Sequence, residues 1–229
     1  MTNSIKDVCE DSQVILLVGS NPEEAHPVMG MRLRQAVERG AKLIVVDPRE
    51  IGLAKKADIH LKLRPGTNVA FANGMVNVLI RKGLVDREFV EGRTEGFDEL
   101  AAMVADYAPE RVAEICGIDA RDLEAAAEMY ATAERAPIVY CLGVVEHSTG
   151  TEGVMALSNL ALAAGKLGRP GCGINPLRGQ NNVQGACDMG AGPADFTGYQ
   201  KVANPEMRAK FEAAWGVELN QAAGLKATE

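Results

Sequence analysis

The chain is 229 residues long, is 47% hydrophobic, and carries 24 basic against 31 acidic residues. That much apolar surface can form a sizeable core and excludes an intrinsically disordered chain. A net charge of −7 excludes the clustered basic surface of a nucleic-acid-binding protein. No apolar run approaches the ~18 residues of a membrane span.

Five cysteines occur in the chain, and no pair of them forms a CxxC motif. This pattern predicts neither a zinc site nor an iron–sulfur cluster held in the usual way. The three histidines are scattered without metal-ligand spacing, so we expect no metal ligand here. A polar start without a leader sequence and an odd number of cysteines indicate a cytoplasmic protein.

The first elements predict a βαβ unit. Val14–Val18 (VILLV) is a continuous, mostly β-branched apolar run of the kind found in parallel strands buried on both faces. A helix is predicted over residues 27–39, and Lys42–Val46 (KLIVV) is a second strand of the same type. The crossover between these parallel strands should be right-handed.

The following elements continue the alternation of strands and helices. A short strand at residues 59–63 precedes a helix that Thr67 or Asn68 can cap and that ends before Gly83. Further helices are predicted at residues 86–91, 97–107, 109–116, 120–134 and 151–166, with a buried strand at residues 137–142.

The composition changes after Gly168. Residues 169–200 contain seven glycines and only four charged residues, which predicts a long functional loop ahead of a last helix at residues 206–215. The fold class is therefore α/β: residues 1–178 form a three-layer αβα domain with a mainly parallel, Rossmann-like sheet. Residues 179–229 begin a second α/β domain.

The turn after the first strand is the first candidate site. Gly19, Ser20, Asn21 and Glu24 occupy a strand–turn–helix junction, the usual position for a ligand in a parallel sheet. Neither GxGxxG nor a P-loop is present, so an ordinary turn stays open as an alternative. The acidic side chains of this turn, Glu24 and its neighbour Glu23, are better suited to accept hydrogen bonds from a neutral base or a pterin ring than to bind phosphate directly.

Two more turns carry polar residues to the same edge. Asp47, Pro48 and Arg49 end the second strand, where an acid in a dinucleotide fold accepts ribose hydroxyls. Gly66 and Asn68 follow the third strand. A capping role for Asp47 stays open, but three polar turns on one edge favour a ligand site.

The loop after the fourth predicted strand contains Leu142, Gly143, Glu146 and His147. Gly143 would let a ligand approach the backbone closely. His147 could be a ligand or a base, although a single histidine is more often structural.

A glycine- and amide-rich segment contains Arg178, Gly179 and Gln180. Amides offer donors and acceptors without charge, which suits a heteroaromatic cofactor. No acidic residue follows Arg178 before Asp188, so Arg178 is a candidate clamp for a carboxylate or oxyanion because its guanidinium binds in a bidentate manner. A solvent-facing arginine is the alternative.

These motifs together resemble a known family. GSNPEEAHPV, VVDPRE, LRPGTN, LGVVEHSTGT and GRPGCGINPLRGQNNVQGACDMG occur in this order and closely resemble the catalytic subunit of molybdenum- or tungsten-dependent formate dehydrogenases. Those enzymes are bis-molybdopterin guanine dinucleotide oxidoreductases. The resemblance runs from Met1 to about Trp215, and its last motif is the most specific.

The resemblance implies a function. The turns with Gly19–Glu24, Asp47–Arg49 and Gly66–Asn68 would hold one guanine dinucleotide arm. Leu142, Gly143, Glu146, Gly179 and Gln180 would lie near the pterin and metal. Arg178 matches the family arginine that orients formate, whose oxidation to carbon dioxide sends electrons through a 4Fe–4S cluster to electron-transfer subunits.

The chain also departs from the family. The cluster-binding segment, the metal-ligating cysteine or selenocysteine and the domain that holds the second arm have no match here. We therefore expect an internal fragment of a catalytic subunit that is inactive and free of cofactor in isolation. Glu146 replaces a glutamine common in relatives. A related oxidoreductase such as a nitrate reductase, or a non-catalytic nucleotide-binding or assembly module, stays open.

Overall fold

The apolar run VILLV forms the central strand of a parallel sheet. The computed structural model describes residues 2–225, and the chain divides into two compact units, Met1–Leu177 and Arg178–Glu229. In the first unit the five strands are β1 (Val14–Val18), β2 (Lys42–Val46), β3 (Ile59–Leu61), β4 (Pro137–Tyr140) and β5 (Gly173–Pro176). Their order is β3-β2-β1-β4-β5, and every pair in the sheet is parallel.

Helices of the first unit connect and cover these strands. They are α1 (Ile5–Glu10), α2 (Pro22–Ala25), α3 (Pro27–Glu38), α4 (Asn68–Arg81), α5 (Arg87–Arg93), α6 (Phe97–Val104), α7 (Pro109–Cys116), α8 (Ala120–Thr132), α9 (Leu142–Val145) and α10 (Gly150–Ala163), with a 3₁₀ helix at Gly52–Lys56. None of the helices within residues 2–225 combines the length and apolar character that a bilayer crossing requires.

Alternate side chains of the strands enter two separate cores. Leu16 packs with residues of α4, α8 and α10 on one face of the sheet, whereas Leu17 packs with residues of α1 and α3 on the other. Both leucines are fully buried, as expected for the period-two alternation of a strand with helices on both sides. The predicted three-layer α/β fold is therefore confirmed.

Part of the predicted loop 169–200 belongs to the sheet, so that prediction was wrong there. β5 pairs with β4 along its whole length, and the buried Asn175 donates from Nδ2 to the Ile138 carbonyl at 3.2 Å. A four-residue strand containing a glycine and a proline has no apolar run by which the sequence could reveal it. Its partner strand therefore determines its conformation.

The start of α4 also differs from expectation. Thr67 occupies the N-cap position without capping, because its hydroxyl donates to the Arg64 carbonyl at 2.7 Å. Asn68 does not cap either, and its amide donates to the Gly143 carbonyl at 3.2 Å. Both side chains stabilise loop geometry instead of the helix end.

The second unit is built around aromatic side chains. It contains α11 (Val183–Asp188), a hairpin and α12 (Pro205–Trp215). The hairpin consists of two antiparallel strands of two residues each, β6 (Asp195–Phe196) and β7 (Gln200–Lys201). The Phe211 ring lies 4.6 Å from that of Phe196 and 5.0 Å from that of Trp215, centroid to centroid. Phe211 is buried in this cluster, whereas Trp215 is 53% exposed.

Candidate functional site

A cavity of about 340 Å³ lies at the carboxyl ends of the parallel strands. Its walls come from the turns that follow β1, β2, β3 and β4, all within the first unit. The lining residues are Gly19, Ser20, Asn21, Glu24, Ala25, Val46, Asp47, Pro48, Arg49, Leu63, Pro65, Asn68, Cys141, Leu142, Gly143 and His147.

The topology explains this position. The chain passes from β1 outward through β2 to β3 and then returns to the other side of β1 as β4. The loops after β1 and β4 therefore lead away in opposite directions and leave a crevice between them. Ligands of open α/β sheets bind at such a switch point.

Two glycines form the floor of the crevice. The Gly143 amide donates to the Gly19 carbonyl at 3.0 Å, and a Cβ on Gly19 would lie 2.6 Å from the Gly143 carbonyl carbon. Gly19 also has a φ of +54°, in the left-handed region that other residues rarely adopt. Only glycine at both positions lets the two loops touch.

Two of the residues that line the cavity each carry a buried side-chain oxygen without a hydrogen-bond partner in the structure described. These atoms are the hydroxyl oxygen of Ser20, a residue that is 3% exposed, and the amide oxygen of Asn21. A buried polar group without a partner costs roughly 1–3 kcal/mol. A ligand would recover that cost where a side-chain rotation turns these oxygens into the cavity that their residues line.

Asp47 provides a buried carboxylate at the end of β2. It is 4% exposed, and its Oδ1 accepts the Arg49 backbone N–H at 2.8 Å, with Arg49 Nε at 3.7 Å. The Asp47 carbonyl hydrogen-bonds to His60 Nε2 at 3.0 Å, which fixes the strand end against β3. The carboxylate is thus held in place as an acceptor.

Most, but not all, of the predicted residues meet in the cavity. Gly66 and Glu146 do not line it, and Glu146 is exposed. Arg178, Gly179 and Gln180 are exposed and open the second unit, whereas the residues lining the cavity belong to the first. Their roles stay proposals.

Sequence reasoning overlooked several wall residues. Val46 is the last residue of β2, Ala25 ends α2, Cys141 follows β4, and Leu63 follows β3. For Val46, Cys141 and Leu63, proximity to a strand end was the available signal. Among residues 2–225, no group of three or more His, Cys, Asp or Glu side chains is arranged to hold a metal ion.

Comparison with known proteins identifies the family. The family model described as molybdopterin oxidoreductase matches residues 1–227. The chain belongs to the molybdopterin oxidoreductase family. Membership implies a molybdopterin cofactor and confirms the resemblance drawn from the motifs.

Two curated relatives show which members of the family this chain is similar to. The chain is 49% identical to the F420-dependent formate dehydrogenase subunit alpha of Methanocaldococcus jannaschii over 100% of this chain and 34% of that protein. It is 45% identical to formate dehydrogenase H of Escherichia coli over 95% of this chain and 30% of that protein. The chain therefore spans about a third of the length of these curated relatives.

A solved structure supports the fold. Acetylene hydratase from Pelobacter acetylenicus aligns with a TM-score of 0.66 and 36% sequence identity. The alignment covers 70% of this chain and 23% of that one. An enzyme named for a different reaction thus shares this architecture, and the fold alone does not specify the chemistry.

Proposed function

We propose that this chain is part of the catalytic subunit of a molybdenum- or tungsten-dependent formate dehydrogenase, which oxidises formate to carbon dioxide. The observation that carries the proposal is identity of 45–50% to formate dehydrogenases across 95–100% of the chain. The specific amide-rich segment around Arg178 lies within the matched region.

In this proposal the cavity holds part of one arm of a bis-molybdopterin guanine dinucleotide. Its unpartnered Ser20 hydroxyl and Asn21 amide oxygen, together with the buried Asp47 carboxylate, match the hydroxyl and N–H groups of a nucleoside. Residues that would hold the arm are Gly19, Ser20, Asn21, Glu24, Asp47, Pro48, Arg49, Asn68, Leu142 and Gly143. When bound with molybdenum or tungsten, this cofactor supplies a two-electron acceptor.

The second unit would contribute the contact to substrate. Arg178 is a clamp for formate because a guanidinium pairs with both oxygens of a carboxylate and fixes its orientation. Gly179 and Gln180 follow it and would contact the cofactor. In this proposal the chain's own task is to bind and orient, so that the formate C–H is presented in one geometry.

The remaining components would come from outside this chain. A 4Fe–4S cluster, the rest of the catalytic subunit and electron-transfer subunits would receive the electrons. The five cysteines are free thiols in the structure, which suits a reducing cytoplasm.

The test of the formate proposal uses Arg178→Lys in the full-length subunit that contains this sequence. Lysine retains charge but loses the bidentate contact, so turnover per bound metal should fall roughly 30- to 1,000-fold, about 2–4 kcal/mol, with cofactor content near normal. Formate-dependent dye reduction and metal analysis measure both quantities.

A matched control is Arg208→Lys, which changes another arginine of the second unit, on α12. Its turnover should stay near wild type. Normal turnover per metal in the Arg178 variant would contradict the clamp role. Reduction of nitrate, without oxidation of formate, would favour the nitrate reductase alternative.

The cavity itself can be tested on the 229-residue chain. We expect GDP to bind with millimolar to high-micromolar affinity, about −4 to −6 kcal/mol, because the chain supplies one side of a larger cofactor cage. Amide NMR shifts should appear at Gly19, Asp47 and Gly143. Shifts at other surfaces alone, or none at millimolar GDP, would contradict the assignment.

A further inference from the structure

His147 lines the same cavity but has no part in the function proposed above. Its Nε2 lies 3.0 Å from the Gly143 carbonyl oxygen. A carbonyl oxygen only accepts hydrogen bonds, so Nε2 carries the proton in this contact. In the neutral ring, Nδ1 then has a lone pair and acts as an acceptor.

The His147 ring is held by the Gly143 carbonyl, whose two lone pairs both accept hydrogen bonds. The Gly143 oxygen accepts from His147 Nε2 and also from Asn68 Nδ2 at 3.2 Å, which occupies both of its lone pairs. The Gly143 amide is bound to the Gly19 carbonyl. The backbone amide and carbonyl of Gly143 are therefore both occupied, and Nδ1 is the polar atom that the ring can offer.

Several acceptors line the same cavity as His147, together with the largely exposed side chain of Arg49. The Asn21 amide oxygen is buried without a partner within residues 2–225, and the carboxylates of Glu24 and Asp47 also line the cavity. No residue of that range hydrogen-bonds to His147 Nδ1. Such a set suits a neutral ring that presents several N–H donors.

We propose that His147 Nδ1 accepts a hydrogen bond from the N–H edge of a 2-amino-4-oxopyrimidine ring. Guanine and the pterin share this ring, so the proposal rests on the cofactor assignment above and deepens it. His147 is then a ligand-contacting residue that favours a base or pterin over phosphate, because the Nδ1 lone pair repels phosphate oxygens.

The experiment follows the side-chain ¹⁵N signals of His147 in the 229-residue chain at one fixed pH of about 8. Guanosine, pterin and inorganic pyrophosphate are added separately. We expect the Nδ1 signal to shift with guanosine or with pterin, which identifies the source of the ring, and to stay unchanged with pyrophosphate.

The outcomes separate this inference from the cofactor assignment. Amide shifts at Gly19 and Gly143 without a change at Nδ1 would overturn the inference and leave the cavity assignment intact. A response of Nδ1 to pyrophosphate alone would also overturn it. The absence of any shift with all three probes would overturn both.

A pair of variants gives a second test. Glutamine retains a donor near the position of Nε2 and loses Nδ1, so His147→Gln should weaken binding of the responsive probe about three- to tenfold with little change in thermal stability. Ser158→Ala is the control, because Ser158 on α10 does not line the cavity and its hydroxyl donates only to the Val154 carbonyl. Equal affinity in both variants would contradict the proposal.

Discussion

The two edges of the parallel sheet differ in whether their polar side-chain atoms have hydrogen-bond partners. At the amino edge, the Asp58 carboxylate accepts from Lys42 Nζ at 2.8 Å and from the Leu43 amide at 2.9 Å. Gln13 Oε1 accepts the backbone N–H groups of Glu134 and Arg135. At the carboxyl edge, polar atoms in the turns after β1 stay unpartnered within the structure described.

This difference separates stabilising from binding residues. Most polar groups that serve only the fold find partners within the protein, because an unpaired buried group is costly, although the Tyr130 hydroxyl and Asn77 Oδ1 have none in the part of the chain described. At the carboxyl edge, unpaired atoms next to a cavity lower the free energy of unfolding. The combination of unpaired side-chain oxygens with a cavity is found at the carboxyl edge, which agrees with the family assignment.

The largest expected effect concerns contact between the loops at the carboxyl edge. Gly19→Ala should lower the free energy of unfolding by about 3 kcal/mol or more, because its Cβ would lie 2.6 Å from the Gly143 backbone. Gly83→Ala, at a φ of +67° with open space around it, should cost only about 1–2 kcal/mol. Chemical denaturation compares them, and equal costs would show that loop contact does not matter.

The next effect tests the paired amino edge. Burial acts to raise the pKa of Asp58, but the hydrogen bonds from Lys42 and the Leu43 N–H outweigh it and lower the pKa. Asp58→Asn should therefore reduce stability at neutral pH by about 1 kcal/mol.

The pH dependence has a defined sign. Because the folded-state pKa of Asp58 is lowered, its stabilisation is present above the unfolded-state pKa of about 4 and is lost as the pH falls through the folded-state value. The stability difference between wild type and Asp58→Asn should shrink in acid. Denaturation at neutral and acidic pH measures it, and a difference independent of pH would contradict the ion-pair account.

A smaller effect comes from a buried hydroxyl in the core. Tyr130 on α8 is fully buried, and its hydroxyl has no hydrogen-bond partner in the part of the chain described. Tyr130→Phe should raise the free energy of unfolding by up to about 1 kcal/mol and leave GDP affinity unchanged, because the group is not part of the cavity. A destabilised variant would reveal a partner for that hydroxyl.

The sequence could predict elements and positions that local pattern determines. Runs such as VILLV and KLIVV identified buried strands because their composition leaves few alternatives, and polar turns at their ends marked the cavity edge. The strand β5 at Gly173–Pro176 was not predicted, because its conformation depends on pairing with β4.

The site's finer geometry depends on contacts between distant residues. The approach of Gly19 to Gly143, and the contacts of Asn68 and His147 to the Gly143 carbonyl, bring together loops that are far apart in sequence. The unpaired state of the Ser20 hydroxyl is likewise visible only in three dimensions. No local pattern encodes these features, which is why sequence located the site but not its contacts.

The most direct test of the cavity assignment is Ser20→Ala, measured for stability and for GDP affinity in the same preparation. We predict unchanged or slightly raised stability with affinity about three- to tenfold weaker, because the hydroxyl has no partner in the described chain and serves the ligand. Ser158→Ala, on α10 and outside the cavity, should leave affinity unchanged. Lower stability with unchanged GDP affinity in Ser20→Ala would contradict the account.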